Sequence, residues 1–332
     1  MIKKERRIPR KLLMLDALNR RISINHSAKN KIKEEVSMSY AGFRGEQSID
    51  YQLTFIDNPN VYIFHDIRLQ GEKSTYFQVD NLLLTQNYCL ILEVKNIRGT
   101  LFFDKSFNQL IRTDEQKEIA LPDPISQIKR QQSQLKFWLE KNKIAELPIH
   151  ALVIISSPST LIKSTPGYNE VLQSVIHSAA LPLKLLEFER IYKDKVLAKN
   201  ELNKVSRLIN KQHIEHIPDL FAKFKIEPSE VLTGIHCPTC STLPMKRIRG
   251  GCLCTVCLYT SKSAYLPSLL DYLLLHGKEI SNKQCREYLH INSISVATKL
   301  LHSLNLQSTG TFKDRMYELN FGKIEEMMML GE

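Results

Sequence analysis

The sequence predicts an α/β fold, followed by a small zinc-binding segment and a helical module. Apolar runs of strand length at 77–84 and 88–95, together with a continuous apolar run at 148–156, predict a sheet, to which residues 170–177 could add a further strand. Two C-x-x-C pairs beyond the predicted sheet indicate a metal site. At 332 residues and 43% hydrophobic composition, the chain can bury the cores of two or three domains.

The first two runs form a predicted antiparallel hairpin, with Gln86 and Asn87 as its two-residue turn. That register places Asp80 directly opposite Glu93, with Cβ atoms about 5 Å apart on one face. Lys95 shares that face because side chains alternate along a strand. Two carboxylates and an ammonium group therefore converge on one predicted divalent-metal site. The alternative is a surface ion pair between Glu93 and Lys95, with Asp80 solvated.

The residues permit a specific chemistry. Mg²⁺, or Mn²⁺ in its place, binds through one or two carboxylates and substrate phosphate oxygens, and it polarises the phosphate. Lys95 would orient an attacking water and balance the charge that develops on phosphorus.

Several short motifs resemble one family. They are Gly45-Glu46, the run from Tyr62 to Ile67, the run from Gln78 to Asn81, and the run from Leu92 to Asn96 with Gly99. Over residues 42–138 the chain is similar to the nuclease-related domain (NERD) family, which is similar to the PD-(D/E)XK nuclease superfamily. The resemblance implies a restriction-endonuclease-like mixed sheet flanked by helices. Val79 stands where the superfamily's name has Pro.

The resemblance also implies residue roles. Asp80 and Glu93 would bind the catalytic magnesium, and Lys95 would support the attacking water. Glu46, on the helix before the sheet, and Gln127, on the helix after it, match further catalytic positions. Glu46 could instead be an exposed acid of a helix face. Gln127 lies in a polar helix that could be solvated or could follow a phosphate backbone.

The charge of the chain favours a polyanionic partner, with 46 Lys and Arg against 35 Asp and Glu and a net charge of +11. Residues 1–36 hold eleven basic and four acidic side chains. Nucleic-acid contacts are predicted for the group Arg6, Arg7, Arg10 and Lys11, although a solvated basic helix would look the same. No apolar run of signal-peptide or membrane-span type is present, so a cytoplasmic protein without a membrane partner is expected.

The cysteines between 237 and 257 have zinc-ribbon spacing. The predicted ligands give two C-x-x-C knuckles: Cys237, Cys240, Cys254 and Cys257. Cys252 and His236 remain alternative ligands, and free thiols, disulfides or a redox pair are alternative states. Four thiolates would close the coordination sphere, so a structural zinc is predicted. The hairpin between the knuckles offers Lys246, Arg247 and Arg249 to a nucleic acid.

The C-terminal part predicts three short helices, at 266–275, 281–288 and from Ser293 or Ser295 to 304, followed by a hairpin at 306–319. This order resembles a winged helix-turn-helix. The third helix would then present Ser295, Thr298, Lys299 and His302 to a DNA major groove, and the wing would add Lys313 and Arg315. A three-helix protein-interaction module would have the same pattern.

The predicted organisation has four parts. They are a basic helical segment over 1–36, a nuclease-like α/β domain over 37–215, a zinc ribbon over 235–260 and a winged-helix-like module over 264–322. The predicted function is metal-dependent hydrolysis of nucleic-acid phosphodiesters, with DNA as the expected substrate. The alternatives are a catalytically silent nucleic-acid-binding protein and a protein-interaction scaffold.

Overall fold

The computed structural model describes residues 1–115, 117–311 and 314–330. Its strands are β1 (Ile2–Lys4), β2 (Tyr62–Gln70), β3 (Tyr76–Leu84), β4 (Cys89–Lys95), β5 (Thr100–Asp104), β6 (Gln109–Asp114), β7 (Lys117–Pro122), β8 (Ile149–Ile155), β9 (Leu161–Ser164), β10 (Val175–His177), β11 (Lys246–Ile248), β12 (Gly251–Leu253), β13 (Thr260–Ser261), β14 (Glu279–Ser281), β15 (Gln307–Thr309) and β16 (Met316–Glu318).

Its helices are α1 (Arg10–Arg21), α2 (Lys29–Ser48), α3 (Asp50–Leu53), α4 (Pro124–Lys141), α5 (Asn169–Ser174), α6 (Leu181–Ile191), α7 (Lys199–Gln212), α8 (Leu220–Phe224), α9 (Tyr265–His276), α10 (Asn282–Leu289), α11 (Ile294–Ser303) and α12 (Phe321–Leu330).

The chain divides into two compact units. The first unit comprises residues 1–8 and 39–216, and the second unit comprises residues 9–38 and the chain from 217 onward. One boundary falls within α2. The predicted basic helical segment over 1–36 is therefore split between the units, and its first residues form strand β1 rather than helix.

The first unit is built on a six-stranded mixed sheet with the order β1-β2-β3-β4-β8-β10. Strands β2, β3 and β4 are antiparallel, whereas β4 pairs in parallel with β8 and β8 with β10. Alternate residues of β4 enter different cores. Ile91 packs in a core with residues of α4 and α7, and Leu90 and Leu92 pack in a core with residues of α3 and α6. The sheet is thus flanked by helices on both faces.

The predicted hairpin register is confirmed. Asn81 lies opposite Leu92 and Leu84 lies opposite Cys89, as a turn at Gln86 and Asn87 requires. The backbone N–H of Thr85 donates to the carbonyl of Tyr88 at 3.0 Å, which closes that turn.

Two features of the first unit differ from the sequence prediction. A second sheet of four strands, in the order β7-β6-β5-β9, was not predicted. The predicted strand over 170–177 is wrong in its first part, because that part is helix α5 and only β10 is strand. The apolar residues there do not mark a buried strand, since Val171 is buried whereas Leu172 is 74% exposed.

The second unit contains α1, α8 to α12 and two small sheets, β11-β12-β13 and β14-β16-β15. Ser281 and Ser293 cap α10 and α11, each accepting a backbone N–H with its hydroxyl oxygen. Cys237 and Cys252 belong to the same hydrophobic core as Leu269 of α9. The segments predicted as separate modules over 235–260 and 264–322 therefore share one core. Among the described helices, none is long and apolar enough to cross a membrane.

Candidate functional site

The carboxylates of β3 and β4 meet at the end of the hairpin away from its turn. Asp80 Oδ2 accepts the backbone N–H of Val94 at 2.9 Å, which holds its side chain beside β4. Lys95 Nζ donates to Glu93 Oε1 at 2.7 Å. Glu93 is only 3% exposed, whereas Lys95 and Asp80 are half-buried. Glu93 is thus the buried acid of this group and Lys95 its more exposed cation; the group of Asp80, Glu93 and Lys95 is called the cleft below.

Helix α4 brings two glutamines to this cleft. Its N-terminus is fixed by Asp123, whose carboxylate accepts the N–H groups of Ile125 and Ser126. Gln127 Oε1 accepts a hydrogen bond from Lys95 Nζ at 2.9 Å, so the lysine is held between Glu93 and the helix.

Gln131 was missed by the sequence analysis. Its Nε2 donates to Glu93 Oε2 at 2.7 Å and to the carbonyl of Gln78 at 2.9 Å. It lies one turn after Gln127 and therefore on the same helix face, which is the signal that could have found it. Both oxygens of Glu93 are thus hydrogen-bonded, one to Lys95 and one to Gln131, and the orientation of this carboxylate is fixed.

Helix α2 carries Glu46 and docks closely on the residue that follows β4. Asn96 Nδ2 donates to the carbonyl of Ala41 at 2.8 Å, and a Cβ on Gly45 would collide with the side chain of Asn96. Only glycine permits this approach. Glu46 Oε2 accepts a hydrogen bond from Arg6 at 2.9 Å. Glu46 therefore faces a guanidinium and is not the exposed helix-face acid considered as the alternative.

The acids of the cleft repel one another. Burial, followed by the charges of Glu93 and Glu46, holds the pKa of Asp80 well above its usual range, against the Val94 N–H and Lys95. Burial is also the main cause that raises the pKa of Glu46 to about 7, against the charge of Arg6. Burial, and to a smaller extent repulsion between the acids, therefore disfavours the charged forms of Asp80 and Glu46.

The predicted basic nucleic-acid contacts near the N-terminus differ in availability. The side chain of Arg6 is 5% exposed and bonded within the first unit, so it is not available to a phosphate without breaking those bonds. In the second unit, Lys11 pairs with Glu35 at 2.9 Å and Arg10 lies over the ring of Phe321. Arg7 is exposed.

Four cysteines of the second unit form a compact thiol cluster. The Sγ atoms of Cys237, Cys240, Cys254 and Cys257 all lie within 4.8 Å of one another. In the described part of the chain, no other three or more His, Cys, Asp or Glu side chains come this close together, so Asp80, Glu93 and Glu46 do not form such a group. This geometry could bind zinc tetrahedrally.

The two alternative zinc ligands lie outside that cluster. Cys252 is buried, and its Sγ is 3.8 Å from a guanidinium nitrogen of Arg247. His236 Nδ1 lies 3.1 Å from the hydroxyl of Ser268 and 3.3 Å from Asp271.

Most of the remaining predicted nucleic-acid contacts that the structure describes are exposed in the second unit, whereas Thr298 and Arg315 are half-buried. Lys246, Arg247 and Arg249 are exposed on and beside β11, and Lys299 is exposed on α11. Thr298 is half-buried, and its hydroxyl donates to Ile294 and accepts from Asn282. Lys313 of the predicted wing lies outside the described residues.

Comparisons with known proteins bear on the first unit. A family model of the nuclease-related domain, NERD, matches residues 41–156. The NERD match contains the hairpin, Glu46 and both α4 glutamines, and it indicates a nuclease-related function. It leaves residues 1–40 and everything after 156 outside.

Two further comparisons were made. No curated protein matches the chain. Among solved structures, the crystal structure of protein VC1899 from Vibrio cholerae is similar with 14% identity and a TM-score of 0.24. That alignment covers 51% of this chain and 37% of that chain.

Proposed function

We propose that the chain is a metal-dependent nuclease of the PD-(D/E)XK type, which hydrolyses nucleic-acid phosphodiesters in the cleft of the first unit. The observation that carries the proposal is the convergence of Asp80, Glu93 and Lys95 at one end of a hairpin inside the NERD match. The restriction-endonuclease-like character of the sheet, and DNA as the substrate, are part of the same proposal.

The residues fit a hard divalent cation. Carboxylate oxygens are the ligands that Mg²⁺ and Mn²⁺ prefer. The pKa of Asp80 is raised mainly by burial and further by the charges of Glu93 and Glu46, and a bound cation would stabilise its charged form. Asp80 and Glu93 would hold the ion. Once bound there, such an ion polarises the phosphate and stabilises the leaving oxygen.

The side chains of the chain supply the remaining steps. Lys95 lies between Glu93 and Gln127 and can orient a water for attack in line with the leaving oxygen. Its positive charge also stabilises the negative charge that develops on the phosphate oxygens. Gln127 fixes the ammonium group, and Gln131 fixes the carboxylate that would face the ion.

The second unit is proposed to add affinity for nucleic acid. A zinc ion held by Cys237, Cys240, Cys254 and Cys257 would be structural, because four thiolates leave no open position. The exposed side chains proposed for phosphate contact are Lys246, Arg247, Arg249 and Lys299 of the second unit, together with Arg7 of the first unit; the half-buried Arg10 and Lys11 would add to them. The helices α9 to α11 and the hairpin β15–β16 are proposed to be winged-helix-like.

The proposal is tested with purified protein, labelled DNA and labelled RNA, each with Mg²⁺, with Mn²⁺ and with EDTA. We expect cleavage only with a divalent ion. Salt-dependent binding without cleavage would favour a catalytically silent nucleic-acid-binding protein. Absence of both binding and cleavage would favour a protein-interaction scaffold. A scaffold makes no phosphate contacts, and it would therefore lack the steep salt dependence of affinity that such contacts give.

Gln131→Leu is expected to slow cleavage by about 10–100-fold while leaving nucleic-acid affinity unchanged. The variant removes the hydrogen bond that orients the Glu93 carboxylate, which would face the metal ion. Single-turnover rates and equilibrium binding measure the two effects. Gln132→Leu is the matched control: Gln132 is the next residue of α4, and its amide donates to the carbonyl of Ile149 instead. Equal rates in the two variants would remove Gln131 from the site.

Replacing Lys246, Arg247 and Arg249 with Gln is expected to weaken nucleic-acid binding. The slope of log affinity against log salt concentration should flatten by up to about 2.7 units, because each phosphate contact adds about 0.9. Cleavage at saturating protein should persist. The control removes the same charge from Arg190, Lys193 and Lys195, which are exposed in the first unit. A slope equal to that of this control would place the ribbon hairpin away from the nucleic acid.

A further inference from the structure

The N-terminal residues of the first unit lie outside the NERD match yet are bonded to its site. Strand β1 pairs in parallel with β2, and the amino group of Met1 donates to the carbonyl of Val61 at 2.6 Å. Arg6 lies two residues after the end of β1, and its side chain is 5% exposed. Burying a guanidinium costs free energy unless its N–H donors are hydrogen-bonded. The partners of Arg6 therefore indicate which groups its side chain positions.

Arg6 binds acceptors on four different elements. Its Nη1 donates to Glu46 of α2 at 2.9 Å, and its Nε and Nη2 donate to the Asp50 carboxylate at the start of α3, at 3.0 and 2.9 Å. Nη2 also donates to Asn81 Oδ1 on β3 at 2.6 Å. His65 of β2 completes the set, with Nδ1 3.0 Å from Nη2 and 2.7 Å from Asn81 Oδ1.

Two of these partners adjoin the cleft. Asn81 is fully buried and immediately follows Asp80, so fixing its side chain fixes the strand that carries this carboxylate. Glu46 follows Gly45, which packs against Asn96, and Asn96 is the residue that follows Lys95 of β4. Within the described part of the chain, no hydrogen bond joins Arg6 to Asp80 or Glu93; the partners of its guanidinium are Glu46, Asp50, Asn81 and His65.

Lys4 acts on the same region of β2. The backbone of Asp66 has φ of 51°, which is unusual for a residue that is not glycine, and Asp66 lies between the paired residues His65 and Ile67, across from Asp80. Lys4 Nζ donates to the carbonyls of His65 and Asp66, both at 2.9 Å. The N-terminal segment thus supplies the donors for a distorted strand position next to the site.

We propose that residues 1–8 are an integral part of the cleft and that Arg6 is a positioning residue, which holds Glu46 and the Asp80–Asn81 segment in the arrangement that cleavage requires. This inference rests on the proposed nuclease function. It also assigns Arg6 a role different from the phosphate contact that its charge predicts.

The test compares Arg6→Gln, Arg6→Lys and Arg190→Gln in the full chain. Arg190→Gln removes the same charge as Arg6→Gln, from an exposed position of the first unit. Measurements are the single-turnover cleavage rate with Mn²⁺, the dissociation constant for DNA, and amide hydrogen exchange in residues 39–53 and 62–84.

Arg6→Gln is expected to lower the cleavage rate by about 10–100-fold, as loss of a group supporting a metal site does, with the DNA dissociation constant equal to that of Arg190→Gln. Arg6→Lys should regain part of the rate, because an ammonium group can replace one of the bonds but cannot span all four elements. Exchange should accelerate in both segments for Arg6→Gln and not for Arg190→Gln.

Three outcomes would overturn the inference. The first is a rate in Arg6→Gln equal to that of Arg190→Gln. The second is a loss confined to DNA affinity, which would make Arg6 a phosphate contact. The third applies if the Arg6→Gln variant does not fold. A wild-type cleavage rate in Arg6→Lys would then contradict the positioning role of Arg6. If the wild-type protein cleaves nothing, the proposed function fails, and the exchange measurement alone tests the positioning role.

Discussion

Replacing Lys95 with alanine is expected to abolish metal-dependent cleavage while nucleic-acid affinity stays nearly intact. The ammonium group lies 2.7 Å from Glu93 and 2.9 Å from Gln127, and in the proposed mechanism it orients the attacking water from this position. Loss of a general acid–base or water-orienting group costs about 10²–10⁴-fold in rate. The affinity changes little, because one charge alters the salt slope by at most about 0.9.

The Lys95 experiment needs a control for charge. Lys184→Ala removes one positive charge from α6, where Lys184 pairs with Glu187 on the surface. Cleavage rate, DNA affinity and melting temperature are measured for both variants and for the wild type. Wild-type cleavage by Lys95→Ala would place the active site elsewhere. A parallel loss of affinity would mean that Lys95 binds the substrate before the transition state.

Replacing Cys237 or Cys257 with serine is expected to remove about one zinc per chain and to unfold the second unit. Binding of a structural zinc supplies about 10–16 kcal/mol at neutral pH, which is comparable to the whole stability of an ordinary domain, about 5–15 kcal/mol. Cys237 also packs in the core that contains residues of α9, α10 and α11, so the loss is not confined to 235–260 as the sequence suggested. The cores of the first unit contain only residues 49–209 and should remain folded.

The matched control for the zinc site is Cys252→Ser. Cys252 is in the same core but outside the thiol cluster, so this variant should keep its zinc and lose only packing energy. Zinc content is measured by inductively coupled plasma mass spectrometry. Amide hydrogen exchange then shows which of the two units has unfolded. Full zinc content in a Cys237→Ser, Cys257→Ser double variant would refute the ligand assignment.

The sequence predicted those parts of the molecule that local patterns determine. The hairpin register followed from a two-residue turn between two apolar runs, and the thiol cluster followed from the spacing of two C-x-x-C pairs. These features are local, because their partners lie within about twenty residues of one another. The hairpin register is also strongly specified, because a shift of one residue would turn every side chain of the strand to the wrong face of the sheet.

The parts that were missed depend on distant partners. Strand β1 is three residues long and basic, so nothing in its own sequence distinguishes it from a coil; its pairing with β2 makes it a strand. The second sheet joins β5 to β9 in parallel across a long connection, which no hairpin pattern reveals. Arg6 looked like one of a run of solvated charges, since its partners Glu46, Asp50 and Asn81 are far away in sequence.

The position of β1 has a practical consequence for anyone producing the first unit in isolation. A fragment cut at residues 41 and 156 would leave β2, a nine-residue and largely apolar strand, with its outer edge bare. It would also lose α7, whose Leu202, Val205 and Ile209 cover apolar residues of the core. Bare edges of this kind recruit other chains into intermolecular sheets. Such a fragment should therefore accumulate as insoluble material, whereas one that keeps the short, lysine-bearing β1 and α7 retains its protection against aggregation.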